Sequence, residues 1–166
     1  MILDTLTGFC NALAVTNAAK YSTDDAVSQL GTSGGGYIDL GDTDAFKNDG
    51  TEYFGVGEPP LYIVAGLNTL MNDAGTPRTI TLAVTLETAD DAAFTSNKTT
   101  IMTLGTFAAG SAAGSRFVQA LPVGEKFRRY IRLKFTPSGT LTGGTVYGFM
   151  AKDVDGGQNY PSRLYI

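Results

Sequence analysis

A period of two over residues 78–88 constrains this chain more than any other feature. Ile80, Leu82, Val84 and Leu86 take every second position, and Thr79, Thr81, Ala83, Thr85 and Glu87 fill the places between. That spacing gathers the large apolar side chains on one face of an extended strand, whereas a helix would scatter them around its circumference. The pattern returns at 126–136. There Phe127, Ile131, Leu133 and Phe135 point one way, and Arg128, Tyr130, Arg132 and Lys134 point the other.

Further strands read out of the same logic. Residues 61–67 form a nearly continuous apolar run. Residues 99–107 place Ile101 and Phe107 on one face, 115–123 form a strand broken by Pro122, and 145–154 close the set with Val146, Tyr147, Phe149 and Met150. Tyr37, Ile38, Asp39 and Leu40 make a short strand after the loop marked by Gly34, Gly35 and Gly36. The stretch from Thr88 to Phe94 reads as a turn with one helical turn capped by Thr88. The sum is seven or eight strands separated by Gly, Pro, Asn and Ser turns, with no amphipathic helix of normal length. This predicts an all-β fold, an antiparallel β-sandwich or jelly roll.

The ends fit that body less well. Ile2, Leu6, Phe9 and Leu13 fall near helical spacing with Leu3 and Cys10 beside them, but Gly8 and several Thr make a poor helix. Residues 1–25 are therefore expected to be an N-terminal arm, either a short helical turn or extended. Residues 26–157 are the sandwich, with 41–60 as a long exposed loop rich in Gly, Asp, Asn and Glu. Residues 158–166 form a C-terminal tail in which Tyr160, Leu164, Tyr165 and Ile166 are unusually apolar for a free end.

Composition removes most chemistry. The 166 residues suit one domain with a proper core. They include no His, no Trp and one Cys. A Ser-His-Asp triad and a Cys-His pair both need an imidazole, so neither is available. His-ligated metals and Cys clusters are excluded, as is a disulfide within the chain. No apolar run reaches the ~18 residues of a membrane span. The opening Met1, Ile2, Leu3 and Asp4 lack the basic start of a secretory signal, and one unpaired Cys fits synthesis in a reducing cytosol.

Formal charge is −4 overall and divides unevenly. Residues 1–83 carry −7, while 84–166 carry +3, which suggests two differently charged surfaces on one body. Arg128, Arg132 and Lys134, with Tyr130 among them and Arg129 and Arg116 nearby, form a basic stripe. Basic and aromatic side chains on a strand suit single-stranded nucleic acid. The chain is acidic as a whole, which disfavours that reading, and no direct nucleic-acid contact is expected. Contact with a protein surface and plain solvent exposure stand equal.

The acidic residues Asp39, Asp42, Asp44, Asp49, Glu52 and Glu58 offer oxygen ligands for Ca²⁺ but match no EF-hand spacing, so turn chemistry is the simpler account. Asp153, Asp155, Gly156 and Gly157 read as turn residues for the same reason. Neighbouring Asp90 and Asp91 do not provide the separated carboxylates of glycoside hydrolysis. The three consecutive glycines lack the helix and Gly-Lys-Thr/Ser of a phosphate loop. No catalytic, cofactor or metal site is expected. A carbohydrate-binding sandwich used in host attachment is the alternative, with Tyr21, Tyr37, Tyr53, Tyr62, Tyr147 and Tyr160 to stack on sugars.

Several segments in order carry a resemblance. They are Met1-Ile2-Leu3-Asp4, Ala14-Val15-Thr16, Tyr37-Ile38-Asp39-Leu40-Gly41, Gly55-Val56-Gly57-Glu58-Pro59 leading into Leu61-Tyr62-Ile63-Val64, and Thr81 to Thr88 running into Asp91-Ala92-Ala93-Phe94. Arg129-Tyr130-Ile131-Arg132-Leu133 and Lys152-Asp153-Val154 complete the series. Together they resemble the capsid cement, or decoration, proteins of short-tailed double-stranded DNA phages of the Bordetella-phage type. Residues 20–36 and 46–54 look like insertions relative to that pattern, and Pro60 is extra.

The resemblance implies a jelly-roll protein, not an enzyme, on the outer surface of a virion whose shell is built from an HK97-type major capsid protein. It implies synthesis in the bacterial host cytoplasm and a small homo-oligomer, a homodimer or alternatively a trimer, that binds across capsomer boundaries and stabilises the shell. The expected partner-facing residues are Ile2, Leu3, Leu6 and Phe9 on the first arm, Arg128, Tyr130, Arg132 and Lys134 on the stripe, and Tyr160, Leu164, Tyr165 and Ile166 on the tail.

Overall fold

The computed structural model describes residues 8–24, 36–40, 47–48, 51–53, 61–73, 75, 77–122 and 125–151. They build two main antiparallel sheets packed face to face. The first is four-stranded, in the order β1 (Gly8–Ala14), β12 (Thr145–Ala151), β6 (Tyr62–Leu67), β9 (Arg116–Ala120). The second is five-stranded. Its main path runs β2 (Lys20–Tyr21), β11 (Tyr130–Pro137), β7 (Leu82–Ala89), β8 (Thr99–Phe107), with β3 (Ile38–Asp39) also paired to β11. A small sheet joins β4 (Lys47–Asn48), β5 (Thr51–Tyr53) and β10 (Lys126–Phe127). The all-β sandwich is thus present.

The alternation in the sequence sets the layers. Leu82, Val84 and Leu86 from β7 and Ile131, Leu133 and Phe135 from β11 are fully buried. They meet Ile63, Ala65 and Leu67 of β6 and Val146 and Met150 of β12 in one core. β12 packs closely over β11 at Gly148. A Cβ on Gly148 would collide with the end of the Leu133 side chain, which would have to shift to admit it. At one margin Phe117 of β9 packs on Phe107 of β8, with ring centroids 4.4 Å apart. Gln119 there donates its amide to the Leu104 carbonyl at 3.5 Å. Two register shifts interrupt the pairing of β7 with β8, which blunts this long edge strand against pairing with other chains.

Five expectations change. The first arm is shorter than 25 residues, because Gly8–Ala14 is an edge strand of the four-stranded sheet and Lys20–Tyr21 belongs to the five-stranded one. Phe9, expected to face a partner, is fully buried, and Cys10 is buried beside it. The strand read across 126–136 is interrupted at Arg128 and Arg129. There the Thr88 hydroxyl accepts the Arg128 N–H at 2.8 Å and donates to the Tyr130 carbonyl at 3.0 Å. Thr88 is therefore a strand residue and does not cap the following turn. Asp91 holds that turn, accepting the Thr95 and Ser96 N–H groups at 3.0 and 2.6 Å. Finally, 41–60 is not all loop: Lys47 pairs with Glu52 and Asn48 with Thr51. Asp49-Gly50 between them is a two-residue hairpin signal in the sequence.

One end of the sandwich is closely stitched. The Asp73 carboxylate is buried and accepts the N–H groups of Gly75, Thr79 and Ile80. Those bonds, with that from Ile80 foremost, hold its pKa below the ordinary 3.8. Met71 donates to the Ser111 carbonyl at 3.1 Å, and Asn72 pairs with Gly143. On the flank, the buried Ser22 hydroxyl donates to the Gly36 carbonyl and accepts the Leu133 N–H at 3.0 Å. Gly36 has φ +61, and a Cβ there would collide with the Ser22 backbone.

Candidate functional site

The basic stripe lies on the outer face of the five-stranded sheet, and register decides its character. Arg132 on β11 stands directly opposite Glu87 on β7. Both are buried, although they face outward from the sheet. Arg132 donates from Nε and Nη2 to Glu87 Oε2 at 3.0 and 2.9 Å, and Lys134 Nζ lies 3.5 Å from Glu87 Oε1. Two rings enclose the guanidinium. Tyr21 lies 3.8 Å and Phe94 4.1 Å from its central carbon. Desolvated cation–π contacts of this kind stabilise by ~2 kcal/mol. Phe94 reaches this position from the turn held by Asp91, with φ 55.

Arg128 and Arg129 are paired too. Arg128 Nη1 donates to Asp90 Oδ1 at 2.6 Å, and Arg129 forms a bidentate pair with Asp39 at 2.9 and 3.0 Å. Asn97 and Arg128, in that order, hold the Asp90 carboxyl below its ordinary pKa. The Ser96 N–H and the Thr95 hydroxyl do the same for Asp91. Tyr130 stacks edge-on against Tyr37 at 5.3 Å and lies 5.0 Å from the Arg129 guanidinium.

The structure therefore brings Arg128, Tyr130, Arg132 and Lys134 together, as the spacing expects, but it corrects Arg132. That residue is closed between Glu87, Tyr21 and Phe94 and presents no surface for a partner. Arg128, Arg129, Tyr130 and Lys134 are the more accessible members. Sequence reasoning missed Glu87 as the counterion. Its outward position on a regular strand was legible, but its pairing with Arg132 needed the register.

The outer face of the four-stranded sheet is different. Tyr62, Val64 and Gly66 of β6, Val118 and Arg116 of β9, and Tyr147, Phe149 and Ala151 of β12 alternate with the core-facing residues. Tyr147 lies over Gly66 and runs nearly parallel to Phe149, centroids 6.1 Å apart. Arg116 supplies the charge among these residues.

Ile2, Leu3, Leu6, Tyr160, Leu164, Tyr165 and Ile166 lie outside the described residues, as do Asp42, Asp44, Glu58, Asp153 and Asp155. Among the described residues, no group of three or more His, Cys, Asp or Glu side chains converges on a metal position. Among the same residues, no helix is long and apolar enough to cross a membrane.

A search of curated proteins returns no match. A profile of one family does match, over residues 9–150, which takes in both main sheets. The chain belongs to the Bbp16 family of Bordetella phage proteins.

Proposed function

We propose that the protein is a capsid cement protein without enzymatic activity, bound to the outer surface of an HK97-type shell. The observation that carries this reading is the family match across the whole sandwich, joined to the resemblance in the order of segments from Met1 to Val154. A stiff body suits the role. Both sheets share one core, and among the described residues no buried side-chain polar atom lacks a partner. Such a body transmits load between neighbouring capsomers without yielding.

The partners are the major capsid protein and further copies of this chain, as a homodimer or alternatively a trimer. Individual contacts need not be strong. Once one contact forms, the next becomes intramolecular and its effective concentration rises to ~mM for short connections. The accessible side chains at the break between β10 and β11, Arg128, Arg129 and Tyr130, are the polar contact surface. Each arginine already has an acid beside it, so the surface offers mixed hydrogen bonding to a partner in place of a bare positive field.

Copy number in purified particles of the source phage tests the proposal, by mass spectrometry against the major shell protein. Close to one copy per shell subunit is expected. A handful of copies would move the protein to the tail or a vertex and favour carbohydrate binding in host attachment. Absence from particles would overturn the reading.

A further inference from the structure

Residues 90–98 join β7 to β8, and Phe94 is the one buried residue among them. Phe94 nevertheless does not belong to the core. Its ring lies on the outer face of the five-stranded sheet, 4.1 Å from the central carbon of the Arg132 guanidinium. Tyr21 lies against the same guanidinium, and Glu87 accepts two of its N–H groups. The turn thus folds back across its own sheet and covers an ion pair that stands on the outward side. A register shift between Leu86 and Glu87 bends the hairpin just before it.

We infer that this turn is a strap that opens without unfolding of the sandwich and uncovers Phe94 and Arg132 together. The bonding of the turn allows it. Asp91 accepts from Thr95 and Ser96, the Phe94 N–H donates to the Asp91 carbonyl, the Asp90 N–H to the Ser96 carbonyl, and the Asn97 amide to Asp90. All of these lie within the turn, so the ladder between β7 and β8 does not depend on them. Among the described residues, the ties to the rest of the fold are the Phe94 ring and the surface pair of Asp90 with Arg128. Surface pairs of this kind hold weakly.

Strain favours opening. Phe94 has φ 55, in the left-handed region that a bulky side chain rarely enters. The closed position keeps that strain, and release of the ring lets the backbone return to an ordinary φ. The stacking on Arg132 is therefore opposed by the backbone that delivers it. Opened, the strap presents an aromatic ring and an arginine beside Tyr130, Arg128 and Arg129. Aromatic and arginine side chains dominate the binding energy of protein interfaces. A protein partner that takes up the Phe94 ring would select the open form. That such a partner is the shell rests on the cement reading; the opening itself does not.

Phenylglyoxal, which modifies accessible arginine side chains, tests the opening on the free full-length chain, with sites mapped by mass spectrometry. Arg132 is expected to react at least about tenfold more slowly than the half-exposed Arg129, as a minor open form requires. Its rate should stay constant as urea rises to the foot of the unfolding transition, because the opening exposes little surface. A rate that climbs with urea in step with global unfolding would overturn the inference, as would no reaction at Arg132 before the protein unfolds. Phe94→Gly, which removes the ring and the strain together, supplies a second readout. It is expected to raise the Arg132 rate by about tenfold while amide exchange along β6 and β12 stays unchanged. An unchanged Arg132 rate would equally overturn it, and so would a rise matched by faster exchange in β6 and β12.

Discussion

The two outer faces of this sandwich solve the same problem in opposite ways. The five-stranded sheet turns charge outward and neutralises it within the chain: Arg132 and Lys134 on Glu87, Arg128 on Asp90, Arg129 on Asp39. The four-stranded sheet turns rings and aliphatic groups outward, and Val64 in its middle is as buried as the core. A row of like charges in a sequence is therefore poor evidence for an oppositely charged partner. The neighbouring strand can hold the counterion at the directly opposed position, where cross-strand pairs are strongest.

The comparison breaks most visibly at Arg132. Arg132→Ala should cost ~3–5 kcal/mol, because Glu87 would remain buried with only Lys134 near it. Replacing the pair together, Glu87→Met with Arg132→Leu, should be close to neutral, within ~2 kcal/mol. Urea unfolding of the three proteins measures both. Equal losses for the single and the double change would mean that the rings of Tyr21 and Phe94, not the charges, hold this face together. On the opposite face, Tyr147→Ala should cost less, ~1–2 kcal/mol for a ring that is only partly buried. It should also increase binding of a hydrophobic dye, since Gly66 loses its cover.

Acid sharpens the contrast. The carboxyls of Asp73, Asp90 and Asp91 have folded pKa values below 3.8. Their stabilisation is therefore fully present above the unfolded value and is lost as pH falls through the lower folded values. Melting temperature should be flat from neutral pH to about pH 4.5 and then fall. Asp91→Asn should remove part of that fall, whereas the Tyr147 variant should keep it unchanged. The smallest effects belong to Arg128→Ala and Arg129→Ala. These exposed pairs should change stability by less than ~1 kcal/mol. If they touch the shell, occupancy on particles should drop while the melting temperature stays put.

The layers were legible because alternation is local. Leu82, Val84 and Leu86 against Ile131, Leu133 and Phe135 needed only a period of two, and these residues are the centre of the core. What depends on a distant partner was not legible. Phe9 lies in a segment whose spacing mimicked a poor helix, and only pairing of β1 with β12 makes it a strand. The break at Arg128 depends on a hydroxyl forty residues earlier. The burial of Arg132 depends on Glu87, Tyr21 and Phe94 arriving from three other segments. Asp49-Gly50, in contrast, was a local hairpin signal absorbed into a loop because the flanking strands are two and three residues long.

The clasp between Ser22 and Gly36 has a practical consequence. Ser22 and Gly36, which flank residues 25–35 in the sequence, are held together by one buried hydroxyl and a glycine that no other residue can replace without collision. The chain between these two residues is costly to lengthen only through its closure entropy. Doubling its length adds only ~0.6 kcal/mol of closure entropy. This clasp is thus a place to graft foreign peptides.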